Sequence, residues 1–260
     1  GYSRDLFAVV CGSDQVWNPR IWDFDPYVNL LGFVAPHKRI ALSPSFGVAA
    51  LDEREAAVFG EELGKYGRIS TRESEGAAIV ESLVDIRGEV LADPTMAVGT
   101  TYWRDIADTR LAPMRRYVLV YELGSGRECR TQAAEYARER GYELVELNVP
   151  GSALFSAGPA DFIGLILGAE AVFTDSFHAA VFSILGHIPF KVLSRKGSGY
   201  SMSSRFTSLT ELFGMSTDDI AQEYDWEAAD SALRGIEKRM ARYISDEFQR
   251  VDGADVEIAE

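Results

Sequence analysis

Cysteine and histidine are scarce: two cysteines and three histidines in 260 residues. Cys11 and Cys129 each fall in or beside a segment expected to be regular, so a disulfide framework is not expected. His37, His178 and His187 show no close ligand spacing, with each other or with the cysteines, so no metal site is expected. No run of about eighteen apolar residues occurs, which excludes a membrane-spanning helix. Gly1-Tyr2-Ser3-Arg4-Asp5 lacks the apolar core of a signal peptide. Basic charge is also short. Lys and Arg number 26 against 40 Asp and Glu, a net charge of −14, which makes nucleic acid an unsuitable partner. Three familiar motifs are missing: the G-x-x-x-x-G-K-[ST] phosphate loop, a G-x-G-x-x-G after a strand, and the G-x-S-x-G nucleophile elbow. Gly124-Ser125-Gly126-Arg127 is the nearest approach to a glycine-rich turn.

What is present is ordinary globular composition, 47% hydrophobic and 25% charged, with enough chain for one large or two medium domains. Short apolar runs alternate with helix-like stretches, the pattern of parallel sheets covered by helices. Strands are expected over residues 6–11, 39–43, 68–70 and 89–92, with helices over 52–64 and 73–83. After Thr101–Arg116, which carries Pro113 and no strand pattern, the alternation resumes. Strands follow at 117–121, 142–149, 171–174 and 189–193, and helices at 127–140, 159–167, 178–185, 204–213 and 226–248. The expected fold is α/β with two Rossmann-like lobes, 1–115 and 116–260, facing a cleft. From Asp218 to Glu260 there are 13 acidic and 5 basic residues, which reads as a solvated helix and tail.

In open α/β sheets, ligands bind beyond the carboxyl ends of the strands. The segments there are polar: Gly12-Ser13-Asp14-Gln15, Ser43-Pro44-Ser45-Phe46-Gly47, Thr71-Arg72-Glu73, Asp93-Pro94-Thr95 and Thr174-Asp175-Ser176-Phe177-His178. Small hydroxyls and glycine at such turns let ligand oxygens approach backbone N–H groups. Taken singly, each is as well explained as a turn or a helix cap. A second signal is charge. Residues 176–210 contain no Asp or Glu but include Lys191, Arg195, Lys196 and Arg205, a +4 window that suits an anion. His178, in the first turn of its helix, is the one histidine placed to exchange a proton with a bound ligand.

The run Gly12-Ser13-Asp14-Gln15-Val16-Trp17-Asn18 resembles a segment of the polysaccharide pyruvyl transferase family. The family's further segments follow in order: Ser45-Phe46-Gly47, Ile69-Ser70-Thr71-Arg72-Glu73, Asp93-Pro94-Thr95, and Thr174 to His178 leading into Val181-Phe182-Ser183. The resemblance implies a fold like that of GT-B glycosyltransferases and transfer of a pyruvyl group from phosphoenolpyruvate to a glycan or lipid-linked sugar as a ketal. No cofactor beyond that donor is implied. His178 matches the family's candidate acid. The implied substrate-binding residues are Ser13, Asp14, Gln15, Ser45, Phe46, Arg72, Glu73, Asp175, Ser176, Lys191, Arg195 and Arg205. The sequence departs from relatives that carry Arg-Leu-His at Ser176-Phe177-His178. It also begins at the family's G-S-D-Q strand, so the first lobe is expected to be truncated. A cytoplasmic place is expected, with attachment at the inner membrane face left open. Two alternatives stand beside this reading: a GT-B glycosyltransferase using a nucleotide sugar, and a binding module without chemistry.

Overall fold

The structure is a computed structural model and describes residues 6–21, 24–194 and 203–259. In chain order the first elements are β1 (Val9–Gly12), α1 (Pro26–Asn29), β2 (Arg39–Leu42), α2 (Glu53–Leu63), β3 (Ile69–Thr71), α3 (Ser74–Leu83) and β4 (Gly88–Val90). Then come α4 (Thr100–Ile106), β5 (Tyr117–Tyr121), α5 (Glu128–Arg140), β6 (Glu143–Leu147), α6 (Pro159–Leu167), β7 (Ala171–Thr174) and α7 (Phe177–Gly186). The chain closes with β8 (Phe190–Val192), α8 (Ser203–Phe213) and α9 (Trp226–Ala259). Helix starts and stops follow from local chemistry. Asp52 and Glu55 form a reciprocal capping box at α2. Gly141, at φ 69°, ends α5 in the left-handed region, where a Cβ would be strained.

The strands form two wholly parallel sheets of four, ordered β1-β2-β3-β4 and β6-β5-β7-β8. The expected strands thus pair as the alternation of apolar runs implied. The chain divides into two compact units, Gly1–Ala97 with Gly235–Glu260, and Val98–Arg234. Helix α9 therefore begins in the second unit and continues into the first.

In the first unit each strand is added on the same side of the last. Right-handed crossovers then place the connecting helices on one face only. That face buries Trp17, Phe46, Phe59, Leu63, Ile69 and Val80. The other face needs a separate cover, and the C-terminal part of α9 provides it: Met240, Tyr243 and Val251 close over Ile40 and Leu91. Tyr243 also donates its hydroxyl to the Ala41 carbonyl at 2.8 Å. Strand β1 forms one edge of the described sheet, with Val10 44% exposed.

In the second unit the order reverses between β5 and β7. Cys129, Ala133 and Ala137 of α5 pack on Val118, Val120, Ala171 and Phe173. On the opposite face, Tyr117 donates to the Leu165 carbonyl of α6 at 2.7 Å. The region expected to hold no strand contains α4, and after it Asp108 N donates to Ala160 O in α6 at 2.9 Å. Only a glycine permits this approach. A Cβ on Gly164 would overlap the Asp108 carbonyl. Gly164→Ala is expected to destabilise the protein by about 1–3 kcal/mol, the usual range for overpacking. Gly235→Ala in α9 has only the flexible end of Arg239 nearby, at 3.7 Å. It should stabilise by about 0.5–1 kcal/mol. Urea midpoints moving in the same direction for both would contradict this account.

Cys11 and Cys129 are separate buried thiols. Burial pushes the Cys11 thiol up to about 12, so it stays protonated at neutral pH. No helix among the described residues is long and apolar enough to cross a membrane.

Candidate functional site

The polar strand ends of the first unit converge on one buried guanidinium. Arg72 follows β3, and its side chain is 3% exposed. Its Nη1 meets Asp93 Oδ2 at 2.9 Å, its Nη2 meets Asp14 Oδ1 at 3.2 Å, and its Nε faces Glu73 Oε2 at 3.8 Å. The surrounding hydroxyls complete the cluster. Ser13 donates to Asp93 Oδ2 at 2.7 Å, and Ser45 donates to Glu73 Oε1 at 2.8 Å. Thr95 donates through both its N–H and its hydroxyl to Asp93 Oδ1. Asp93-Pro94-Thr95 is therefore the far side of the cluster, a part that the expected site residues did not include.

This arrangement separates the residues expected to bind substrate. Ser45 and Phe46 are fully buried, and the Phe46 ring packs edge-on against Trp17 at 5.4 Å. Gln15 accepts from the buried Asn18 amide at 2.6 Å. Asp14 is the exposed member, with a side chain 59% accessible and φ at 53°. Ser43, immediately after β2, is likewise held at positive φ. Gly47 stands at φ 62° against Gln15 and Asn18, where a Cβ would collide with both side chains. Sparsely populated backbone conformations at successive strand ends persist only when the surroundings fix them.

Three carboxylates share one arginine, and burial decides which of them gives way. Desolvation lifts the Glu73 carboxyl above its ordinary value of 4.5, opposed by Arg72 and by hydrogen bonds from Ser45 and the backbone. Above pH 4.5 the unfolded chain has released a proton that the folded protein still holds at Glu73. Folding stability must then fall as pH rises through the folded pKa. Glu73→Gln keeps an acceptor for Ser45 and removes the titration. Urea unfolding at several pH values above 4.5 should show a shallower decline for the variant and equal or greater stability at the upper end. A steeper decline would contradict the assignment.

In the second unit the order β6-β5-β7-β8 creates a switch point between β5 and β7, the place where such sheets bind ligands. A pocket of about 410 Å³ lies there. Its walls include Tyr121 at the end of β5 and Leu123 beyond it, Asn148 after β6, Phe155 and Phe162, and Ser176 and His178 at the start of α7. His178 occupies the second position of α7, half-buried, its ring 5.5 Å from that of Phe177. Ser176 caps the same helix by accepting from Ala179 N at 3.4 Å. Gly158 and Pro159 bring the start of α6 to the pocket as well. Two helix N-termini thus face one cavity, and their partial positive charge favours an anion or a developing negative charge.

Thr174 and Asp175 build the turn itself. Thr174 donates to the Tyr121 carbonyl at 2.6 Å and accepts from Ser176 N at 3.0 Å. Asp175, 1% exposed, accepts from Leu123 N at 2.7 Å and from Gly124 N at 2.8 Å. The glycine-rich turn is bridged across its ends, where Glu122 Oε1 accepts from Glu128 N at 3.1 Å at the start of α5. Lys191 stands in β8 paired with Phe173, away from the pocket wall. Arg195 and the Arg205 side chain lie outside the described residues. Among the described residues no group of His, Cys, Asp and Glu could hold a metal ion.

Tyr121, Asn148, Phe155 and Phe162 line the pocket although sequence reasoning passed them over. Asn148 could have been found by the rule applied elsewhere, since it directly follows β6, at φ 64°. The expected strand over 142–149 ran past it. Phe155 and Phe162 carry no such signal, because apolar residues beside a proline read equally well as core.

Parallel α/β units with a pocket at a switch point, and a histidine at the helix start beside it, give the chain a Rossmann-like build. The model of the family Polysaccharide pyruvyl transferase matches residues 2–197, more than half of the chain. The chain belongs to that family, and it is a transferase of polysaccharide biosynthesis. No curated protein matches it.

Proposed function

We propose that the protein transfers a pyruvyl group from phosphoenolpyruvate to two hydroxyls of a glycan or lipid-linked sugar, forming a pyruvate ketal and releasing phosphate. The observation that carries the reading is His178, placed on the wall of the switch-point pocket where two helix N-termini meet. The fold reading that accompanies it is that of GT-B glycosyltransferases.

The chemistry needs an acid first. In our reading the His178 imidazolium gives its proton to C3 of the enol, converting the methylene to a methyl and leaving C2 electron-poor. The first sugar hydroxyl adds to C2 and loses its proton, which restores the histidine. The C2–O bond to phosphate then breaks, and the second hydroxyl closes the ketal, its proton leaving with phosphate. The helix N-termini offset the donor's negative charge. Arg195 and Arg205 remain the candidates for holding its phosphate and carboxylate, as guanidinium forks suit both groups, while Lys191 in β8 is set aside by its place away from the pocket wall. In the first unit we assign Arg72, Glu73, Ser13, Ser45 and Phe46 a supporting part. Their buried cluster fixes the turn that carries Asp14 and Gln15. A cytoplasmic reaction follows from the donor, a soluble metabolite.

Thermal-shift screening of phosphoenolpyruvate against UDP-, GDP- and CDP-sugars tests the donor. A ligand at about 100 times its Kd adds about 2.7 kcal/mol. Stabilisation by phosphoenolpyruvate alone supports pyruvyl transfer. Stabilisation by a nucleotide sugar instead would turn the reading to glycosyl transfer, and by none of them to a binding module.

A further inference from the structure

Asp175 contributes to the pocket without lining it. Its buried carboxylate takes the backbone N–H groups of Leu123 and Gly124, one on each oxygen. Those two residues belong to the loop between β5 and α5, and Leu123 is on the pocket wall. On the other side, Asp175 directly precedes Ser176 and His178, which form the facing wall. Thr174 adds a parallel tie, hydroxyl to Tyr121 carbonyl. The far end of the loop is anchored independently, where Glu122 accepts from Glu128 N and Cys129 N.

We propose that Asp175 is a positioning residue that clamps the β5–α5 loop to the start of α7, so that the distance between Leu123 and His178 across the pocket depends on its carboxylate. The proposal rests on the transfer reading for the identity of the ligand, phosphoenolpyruvate, but its geometry does not. Hydrogen bonds to an ionised carboxylate are stronger than neutral ones, and two of them fix direction as well as distance. Asparagine cannot replace this, because one of its two groups is a donor that would face a backbone donor. Glutamate can keep both bonds, but only by pushing the loop outward by one methylene.

The experiment compares wild type, Asp175→Asn and Asp175→Glu by hydrogen exchange of the segments 121–124 and 176–179, and by phosphate release from phosphoenolpyruvate. Asp175→Asn should exchange faster at 121–124 and raise KM by about tenfold, the loss of one charge-assisted hydrogen bond. Asp175→Glu should keep protection at 121–124 while still raising KM, since the loop is held but displaced. That split is not expected of a residue that merely stabilises the fold. Unchanged exchange in Asp175→Asn overturns the proposal, as does wild-type KM in both variants. If Asp175→Asn does not fold, Asp175→Glu decides alone, and a wild-type KM there sinks the clamp. If wild type releases no phosphate, the transfer reading fails, and exchange at 121–124 decides the clamp by itself.

Discussion

Replacing His178 by alanine is expected to lower phosphate release from phosphoenolpyruvate by about 10²–10⁴-fold, the usual contribution of a positioned general acid. The donor KM should stay within a few-fold of wild type, because the helix starts at the pocket survive the substitution. Alanine is well tolerated in helices, and the Ser176 cap is untouched, so unfolding should move little. His187→Ala supplies the control. That histidine terminates the same helix, with its Nε2 2.8 Å from Asp230 Oδ1 and its ring stacked on Trp226 at 5.1 Å. It lies at the end of α7 remote from the pocket and should leave turnover unchanged. Equal rates for wild type and His178→Ala would make the histidine a bystander.

The second large effect concerns the first unit's sheet, which has connecting helices on one face only. Tyr243 is the central side chain of the cover on the other face, 1% exposed. Tyr243→Ala should destabilise by about 3–5 kcal/mol, as for other large buried aromatic truncations. Tyr243→Phe removes only the hydroxyl from Ala41 O and should cost about 1 kcal/mol. Arg68, whose guanidinium lies 4.4 Å from the Tyr243 ring, loses its platform in the alanine variant and keeps it in the phenylalanine one. Denaturant unfolding of both variants separates packing from hydrogen bonding. Equal, small losses would show that α9 is not what closes this face.

Most of the strands and their division between two parallel sheets were legible, because parallel strands announce themselves as short apolar runs between capped helices. Helix α6 shows why: Pro159 opens it and Gly168 closes it, and both bounds were readable from single residues. Helix α4 was not readable, since Thr100–Ile106 has no side-chain cap and lies next to a proline-containing stretch that resembles a linker. The second role of α9 was hidden for another reason. Its sequence past Phe248 is acidic, which reads as a solvated tail, while Tyr243 and Val251 bury themselves against a sheet formed more than a hundred residues earlier.

The site was legible in its positions and less so in its roles. Five strand-end motifs were picked out by their polar residues, but the same residues can bind a ligand or tie turns together. Arg72 shows the difference: a lone basic residue after a strand suggests an anion, yet it lies among Asp14, Glu73 and Asp93. Asp175 is similar, with both oxygens turned to the backbone. Such partners come from segments far apart in the chain, and no local pattern encodes them.

The central claim is that a proton reaches C3 of phosphoenolpyruvate at His178 as the ketal forms. The direct measurement is the reaction run in deuterated water with phosphoenolpyruvate and a panel of glycosyl acceptors, the product being read by NMR. The account predicts a ketal methyl group carrying solvent deuterium, formed together with inorganic phosphate and lost in His178→Ala. A product without the methyl, or one formed at the wild-type rate by His178→Ala, would contradict it.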